Sequence, residues 1–528
     1  MAAAEKRRKS TGGAVLIAAG IFLSRIMGLV RSHYFTRYLG TSDSADAFTA
    51  AIRIPNFLQN LFGEGVLSAS FIPVYARLLA EGDEDEAGRV AGAVFSLLAL
   101  IATVLVVIGI FTAPYLIDLL TPGFPGDKRE LTIKLVQAMF PGVGLLVLSA
   151  WCLGILNSHR RFFVSYVSPV AWNVVMIAAL LVFGGRVLQP NLVMLVAVAS
   201  VAGAALQLAV QLPILFKLEK KLRASLNVRA ANVRSVITNF VPVFFGRGVV
   251  QVSAYVDQWL ASFLIGGAVS VLSYAQIVAM LPISLFGMAI AASELPAMSS
   301  AIGETASDEI RRRLDEGLRR IAFYIIPSAA AFVLLGDIIA GALFQSGQFE
   351  RDSTVWVWGV LAGSAIGLLA GTMGRLYSSA WYAQRDTATP LKFAMIRVAL
   401  TLVLGYVAAL LLPGWLGISP KWGVAGLTAS AGIAGWLEFW LLRRGMNRKI
   451  GVTGVPLGRV ATLWVAAVVA ALPAFGLKLE MGIARPVLLA AVTLPVYGVA
   501  YLLITSGARV PEAAEFRERV SRVLRRAG

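Results

Sequence analysis

Apolar residues in this chain run in stretches of twenty or more, separated by short polar turns. A helix needs about 20 mostly apolar residues to cross the hydrocarbon core of a bilayer. By that measure the pattern predicts fourteen spanning helices, near 14–39, 46–79, 89–117, 131–157, 162–184, 190–217, 236–266, 269–301, 319–344, 353–382, 389–412, 422–443, 456–477 and 484–506. The second and eighth stretches are long and carry prolines (Pro55 and Pro73; Pro282 and Pro296), so they are expected to be kinked or partly non-helical. The fold class that follows is an all-α polytopic membrane protein.

The pattern also repeats. Leu61-Phe62-Gly63 is followed by Pro73 and an acidic turn from Glu81 to Glu86; Leu285-Phe286-Gly287 is followed by Pro296 and an acidic turn from Glu304 to Glu309. Pro55 and Pro282 sit upstream in the two copies. The offset lays the second span over the eighth, six spans on, which gives both copies the same orientation. Two parallel six-helix lobes around a central cavity, with the last two helices as an appendage, match a transporter plan in which the site lies between the repeats near the midplane. The predicted division is a basic tail at 1–13, an N-terminal lobe at 14–217, a basic linker at 218–235 and a C-terminal lobe at 236–443. Two extra helices at 456–506 and a basic tail at 507–528 complete it.

Charge sets the orientation. The 528-residue chain is 58% hydrophobic and only 14% charged, with a formal net charge of +18. The cations gather in alternate connections: Lys217, Lys220, Lys221, Arg223, Arg229 and Arg234 in one, Arg443, Arg444, Arg448 and Lys449 in another. By the positive-inside rule both termini of this multi-pass membrane protein are expected in the cytoplasm. Loop cations with this role account for the basicity without nucleic acid. One cysteine, Cys152, excludes a disulfide framework, and His33 and His159 are too few and too far apart for a histidine metal centre. No Gly-x-Ser-x-Gly elbow, HExxH or Walker loop is present, so hydrolysis and nucleotide-driven work are not expected and no cofactor is called for.

The candidate chemistry is cationic. Spans one and two carry Arg25, Arg31, Asp46, Arg53 and Glu64 at membrane depth. Ionisable groups there are costly and as a rule face a water-filled cavity or substrate path. Guanidinium groups must pair with acids, reach water or await an anion, and their planar fork suits phosphate. Arg25, Arg31, Arg53 and, on span seven, Arg247 are therefore the candidate substrate-binding cations. Asp46, Glu64, Asp257 and Glu294 are the candidate pairing or gating acids, the last two also candidate sites for a coupling cation or proton.

Several stretches resemble one known family. Ser24-Arg25-Ile26-Met27-Gly28 with Arg31, Ala45-Asp46-Ala47-Phe48, Pro55-Asn56-Phe57-Leu58, Glu64-Gly65 and Phe71-Ile72-Pro73-Val74 resemble the lipid II flippases (MurJ, also called MviN). That family belongs to the multidrug/oligosaccharidyl-lipid/polysaccharide (MOP) exporter superfamily. Leu281-Pro282, Leu295-Pro296 and Leu343-Phe344-Gln345-Ser346-Gly347-Gln348-Phe349 continue the match, which weakens after about residue 450. The resemblance implies a transporter rather than an enzyme. It would move lipid II, an undecaprenyl-pyrophosphate-linked disaccharide-pentapeptide used in peptidoglycan and cell wall biogenesis, from the inner to the outer leaflet by alternating access. It further implies that Arg25, Arg31 and Asp46 belong to a central cationic cavity, that the last two spans make a groove for the polyprenyl tail, and that cell-wall synthases are potential partners. The resemblance also implies the bacterial cytoplasmic (inner) membrane. The chain departs from the family pattern where Ser32 stands in place of an acid, and where Gln59, Asn60 and Ile277 stand in places at which arginines are common. Arg247, and Arg53 with it, are expected to compensate. Alternatives are a flippase for another polyprenyl-pyrophosphate saccharide and a MATE-like drug or cation antiporter, which the excess of arginine over acid opposes. A membrane glycosyltransferase would need carboxylates and larger outward loops than this chain has.

Overall fold

A computed structural model describes the backbone of residues 2–62, 64–252, 255–300, 306–481 and 486–527, and the same side chains except those of 2–19, 21, 64, 243, 245–252, 519–520 and 522–527. The described chain is helical, without strands. By contacts it forms two compact units, Met1–Trp259 with Ser346–Gln348, and Leu260–Gln345 with Phe349–Gly528.

The first unit holds α1 (Ala2–Leu39), α2 (Asp43–Phe62), α3 (Glu64–Glu81), α4 (Glu84–Leu120), α5 (Gly126–Ser158), α6 (Phe162–Phe183), α7 (Gln189–Leu218) and α8 (Ala231–Val252). Its centre is α5, which packs on α2, α3, α4 and α7. Trp151, Cys152, Leu135 and Phe140 of α5 are almost wholly enclosed. An apolar helix buried on all sides is what a bundle core inside a bilayer demands. The outer face of α4 is different: Leu100, Val104, Ile108 and Phe111 are exposed, as lipid-facing positions are. α1 lies against α6, and α8 packs on α2, α3 and α4.

A short helix α9 (Val256–Ser262) leads into the second unit, which holds α10 (Ala268–Pro282), α11 (Ala289–Ser299), α12 (Ala306–Leu334), α13 (Gly336–Phe344), α14 (Arg351–Ala383), α15 (Ala388–Tyr406), α16 (Leu412–Leu416), α17 (Gly423–Ile450), α18 (Leu457–Met481), α19 (Pro486–Gly507) and α20 (Pro511–Ala527). Here α14 is the centre, packing on α10, α11, α12, α13 and α17. α14 and α5 come from the tenth and fourth predicted spans, six apart, and each is 33 residues long. The contact between α14 and α17 is made by glycine on glycine: a Cβ built on Gly432 would stand 2.7 Å from the Gly367 nitrogen. Such close backbone approach is the usual source of helix association where lipid removes the hydrophobic drive. The two C-terminal spans dock on α12 and α13. Tyr497 and Tyr501 of α19 donate hydrogen bonds to the carbonyls of Pro327 and Phe323, at 2.8 and 2.9 Å.

Among the described residues eleven helices are long and apolar enough to cross a membrane, against the fourteen predicted. The three predicted stretches outside that count are 14–39, 46–79 and 236–266. The 46–79 stretch is two helices, α2 and α3, with Pro55 inside one and Pro73 inside the other. The eighth span is continuous from Ala268 to Ser299 but widens into a π-helical turn at Ile283–Met288, directly after Pro282. Proline lacks the N–H that an α-helical ladder needs, and a π turn is one way to absorb the missing bond. The ninth stretch is broken at Leu335, where α12 gives way to α13.

Candidate functional site

Arg31 is the clearest of the predicted cations. It projects from α1 towards α6, where its guanidinium carbon lies 4.9 Å from the centre of the Trp172 ring. Its Nη1 approaches the Met176 sulfur at 3.9 Å. Trp172 is fixed in turn by an indole N–H bond to the Ser200 carbonyl of α7, at 2.9 Å. The cation is thus half-buried on an aromatic face, and no carboxylate among the described residues pairs with it. A cation held by a ring and a thioether is oriented but not neutralised.

Arg25 stands exposed on the same helix. Six residues separate it from Arg31, which at about 100° per residue turns their side chains roughly 120° apart. Arg53 of α2 lies in the electrostatic field of Tyr255 and Asp257. Tyr255 donates its hydroxyl to the Arg53 carbonyl at 2.8 Å and meets Phe57 edge-on at 5.5 Å. The turn before α9 is therefore held against the middle of α2, and Asp257 faces Arg53. The side chains of Arg247 and Glu64 lie outside the described residues.

Asp46 brings in a residue that sequence reasoning missed. It is fully buried at the start of α2 and takes a 2.6 Å bond from Lys128 of α5. Lys128 also meets the exposed Asp43 at 2.9 Å and lies 4.3 Å over the Phe124 ring. Lys128 sits 82 positions along the chain, in a turn that reads as an ordinary loop. Glu294 belongs to the second unit: buried on α11, it meets Arg313 at 3.8 Å and Arg320 at 3.6 Å, both on α12.

Gln59 and Asn60 line a polar cavity of about 420 Å³ inside the first unit, together with Ser68, Ser149 and Gln207. No charged residue lines it among the described residues. Between α2, α3, α4 and α8 an apolar cleft of about 370 Å³ is walled by Phe62, Phe240 and Phe244. At the ends of α3, α5 and α7, Tyr75 donates to Glu219 at 2.7 Å and lies 3.1 Å from His159 Nε2.

Known proteins resemble this chain in sequence and in fold. A family profile described as lipid II flippase MurJ matches residues 35–484. A lipid II flippase MurJ of Burkholderia cenocepacia is 32% identical over 443 residues, which are 83% of this chain and 84% of that protein. A solved structure of a lipid II flippase MurJ in an inward closed conformation superposes with a TM-score of 0.76 at 22% identity, covering 93% of this chain and 98% of the other. An inward-facing multidrug resistance MATE family transporter of the MOP superfamily superposes with a TM-score of 0.66 at 16% identity, covering 82% and 98%.

Proposed function

Because the chain belongs to the lipid II flippase MurJ family, we propose that Arg31 is the residue on which its substrate's pyrophosphate is received. The protein is a multi-pass membrane transporter, not an enzyme, and its cargo is lipid II. The observation that carries the assignment is the state of Arg31, a half-buried guanidinium aimed by Trp172 with no acid among the described residues to neutralise it. Leaving such a charge unpaired at membrane depth is costly, and an anionic ligand removes the cost.

In this reading Arg25 and Arg53 supply further positive charge, and Asp257 holds Arg53 until the substrate anion arrives. Arg247 takes the part of the arginines replaced by Gln59, Asn60 and Ile277. Asp46, Glu64 and Glu294 act as pairing or gating acids. Both termini lie in the cytoplasm, the head group enters from that side, and cell-wall synthases draw the product away. An inside-negative potential favours outward movement of negative charge by about 2.3 kcal/mol per charge per 100 mV. A cation or proton at Asp257 resets the carrier.

The test is complementation of a bacterium depleted of its own lipid II flippase, with the leaflet location of lipid II as readout. The intact chain is expected to restore outward lipid II, Arg31→Ala to abolish it, and Arg31→Lys to retain part, since an ammonium keeps the charge and loses the fork. Arg31→Ala transporting as well as the intact chain would reject the assignment. Arg247→Ala with undiminished flipping would reject the compensation.

A further inference from the structure

The polar cavity of the first unit has a floor whose hydrogen bonds run in only one direction. The Ser165 carbonyl can only accept, and it accepts from the Ser168 hydroxyl at 3.0 Å. Ser168 therefore accepts from the Gln211 side-chain N–H, at 2.6 Å. That leaves the Gln211 carbonyl to accept from the Ser149 hydroxyl at 3.1 Å, and Ser149 to accept from the Gln207 side-chain N–H at 2.9 Å. A glutamine amide is ordinarily ambiguous between its two ends; here the chain of donors fixes both.

The consequence falls on Gln207. It is only 6% exposed and lines the cavity, and its amide nitrogen is already engaged. Its carbonyl oxygen accepts from no described residue, and the second N–H of its amide is likewise uncommitted, so Gln207 has an acceptor and one donor available at the cavity. Behind it Ser149, Gln211 and Ser168 are each at most 2% exposed. A relay of four buried polar side chains is retained at the expense of apolar packing, and at its cavity end Gln207 keeps its carbonyl acceptor and one N–H uncommitted. At the mouth Gln59, Asn60 and the Ser68 hydroxyl add neutral donors and acceptors. Among the described residues its lining is neutral, which suits neither pyrophosphate nor a cation.

We propose that this cavity is a subsite for the neutral, hydroxyl- and amide-bearing part of the transported lipid, with Gln207 as the acceptor at its floor and Gln59, Asn60 and Ser68 at its mouth. The proposal rests on the flippase reading above and adds to it: the two residues that replace family arginines serve recognition of the sugar-peptide portion, while Arg31 serves the pyrophosphate.

The test compares two probes on the purified full chain in lipid nanodiscs: lipid II, and undecaprenyl pyrophosphate carrying no saccharide. Gln207→Met keeps the side-chain length and removes the acceptor; Asn60→Ala changes an exposed position outside the relay, where folding is not at stake. Gln207→Met is expected to weaken lipid II binding roughly five- to tenfold, and Asn60→Ala about two- to threefold, the range for one lost hydrogen bond. Binding of undecaprenyl pyrophosphate is expected to be unchanged in both. If Gln207→Met does not fold, Asn60→Ala decides alone. Lipid II binding at the intact level in these variants, or equal weakening of both probes, would show the cavity to hold water only and overturn the subsite. An intact chain that binds neither probe overturns the flippase reading itself, and the subsite with it.

Discussion

Replacing Asp46 by alanine removes one member of a buried ion pair and leaves the other. The Lys128 side chain is 8% exposed and that of Asp46 1%, at 2.6 Å. Breaking such a pair costs about 3–5 kcal/mol, because the surviving charge stays in a poor solvent. Lys128 would keep Asp43, which is 66% exposed, and the Phe124 ring at 4.3 Å. An exposed pair and a cation–π contact each contribute about 0.5–1 kcal/mol, so they offset part of the loss. The expected destabilisation by Asp46→Ala is therefore about 2–4 kcal/mol, against at most about 1 kcal/mol for Asp43→Ala. The double change Asp46→Leu with Lys128→Met removes both charges and is expected to lie closer to the intact protein than Asp46→Ala does. Denaturant unfolding in detergent, followed by tryptophan fluorescence, measures all four. Equal losses for Asp46→Ala and Asp43→Ala, with the double variant no more stable than Asp46→Ala, would refute the claim that burial rather than proximity gives the pair its strength.

Three further outcomes follow from the packing. Gly367→Val is expected to destabilise the second unit by at least about 2 kcal/mol or prevent its folding, since any added carbon there overlaps the Gly432 backbone; folded yield by size-exclusion chromatography reports it. Glu294→Ala is expected to cost less than Asp46→Ala, about 1–2 kcal/mol, because the two arginines it leaves are about one-third exposed and reach water; the same unfolding assay ranks the two. Burial holds the His159 imidazole below its ordinary value, with Glu219 opposing. The folded chain therefore binds that proton more weakly than the unfolded chain, so the contribution is complete above pH of about 6.5 and is lost as pH falls through the folded-state value. Stability measured between neutral and mildly acidic pH is expected to fall less steeply in His159→Gln than in the intact protein.

Much of this protein is legible along a line. The hydrophobic stretches, the proline that precedes the widened turn of the eighth span, the repeat that makes α5 and α14 the counterparts of one another, and the presence of cations on α1 and α2 are all properties of neighbouring residues. A bilayer makes them so, because each crossing must satisfy its own backbone and present about 20 apolar residues whatever its neighbours do. Partners are another matter. That Asp46 meets Lys128, that Trp172 aims Arg31, that Tyr255 seats itself on the Arg53 carbonyl, and that Gln207 turns its acceptor towards a cavity lined by Gln59 and Asn60 depended on which helix faces came together. The six-residue spacing already sets Arg25 and Arg31 roughly 120° apart on α1, but which of them meets Trp172 depended on how α1 packs on α6. Hydrophobic length is a local demand of the solvent; ion pairing and hydrogen bonding inside the bundle are demands that only a second helix can meet, so the sequence determined the spans and the tertiary structure decided the chemistry between them.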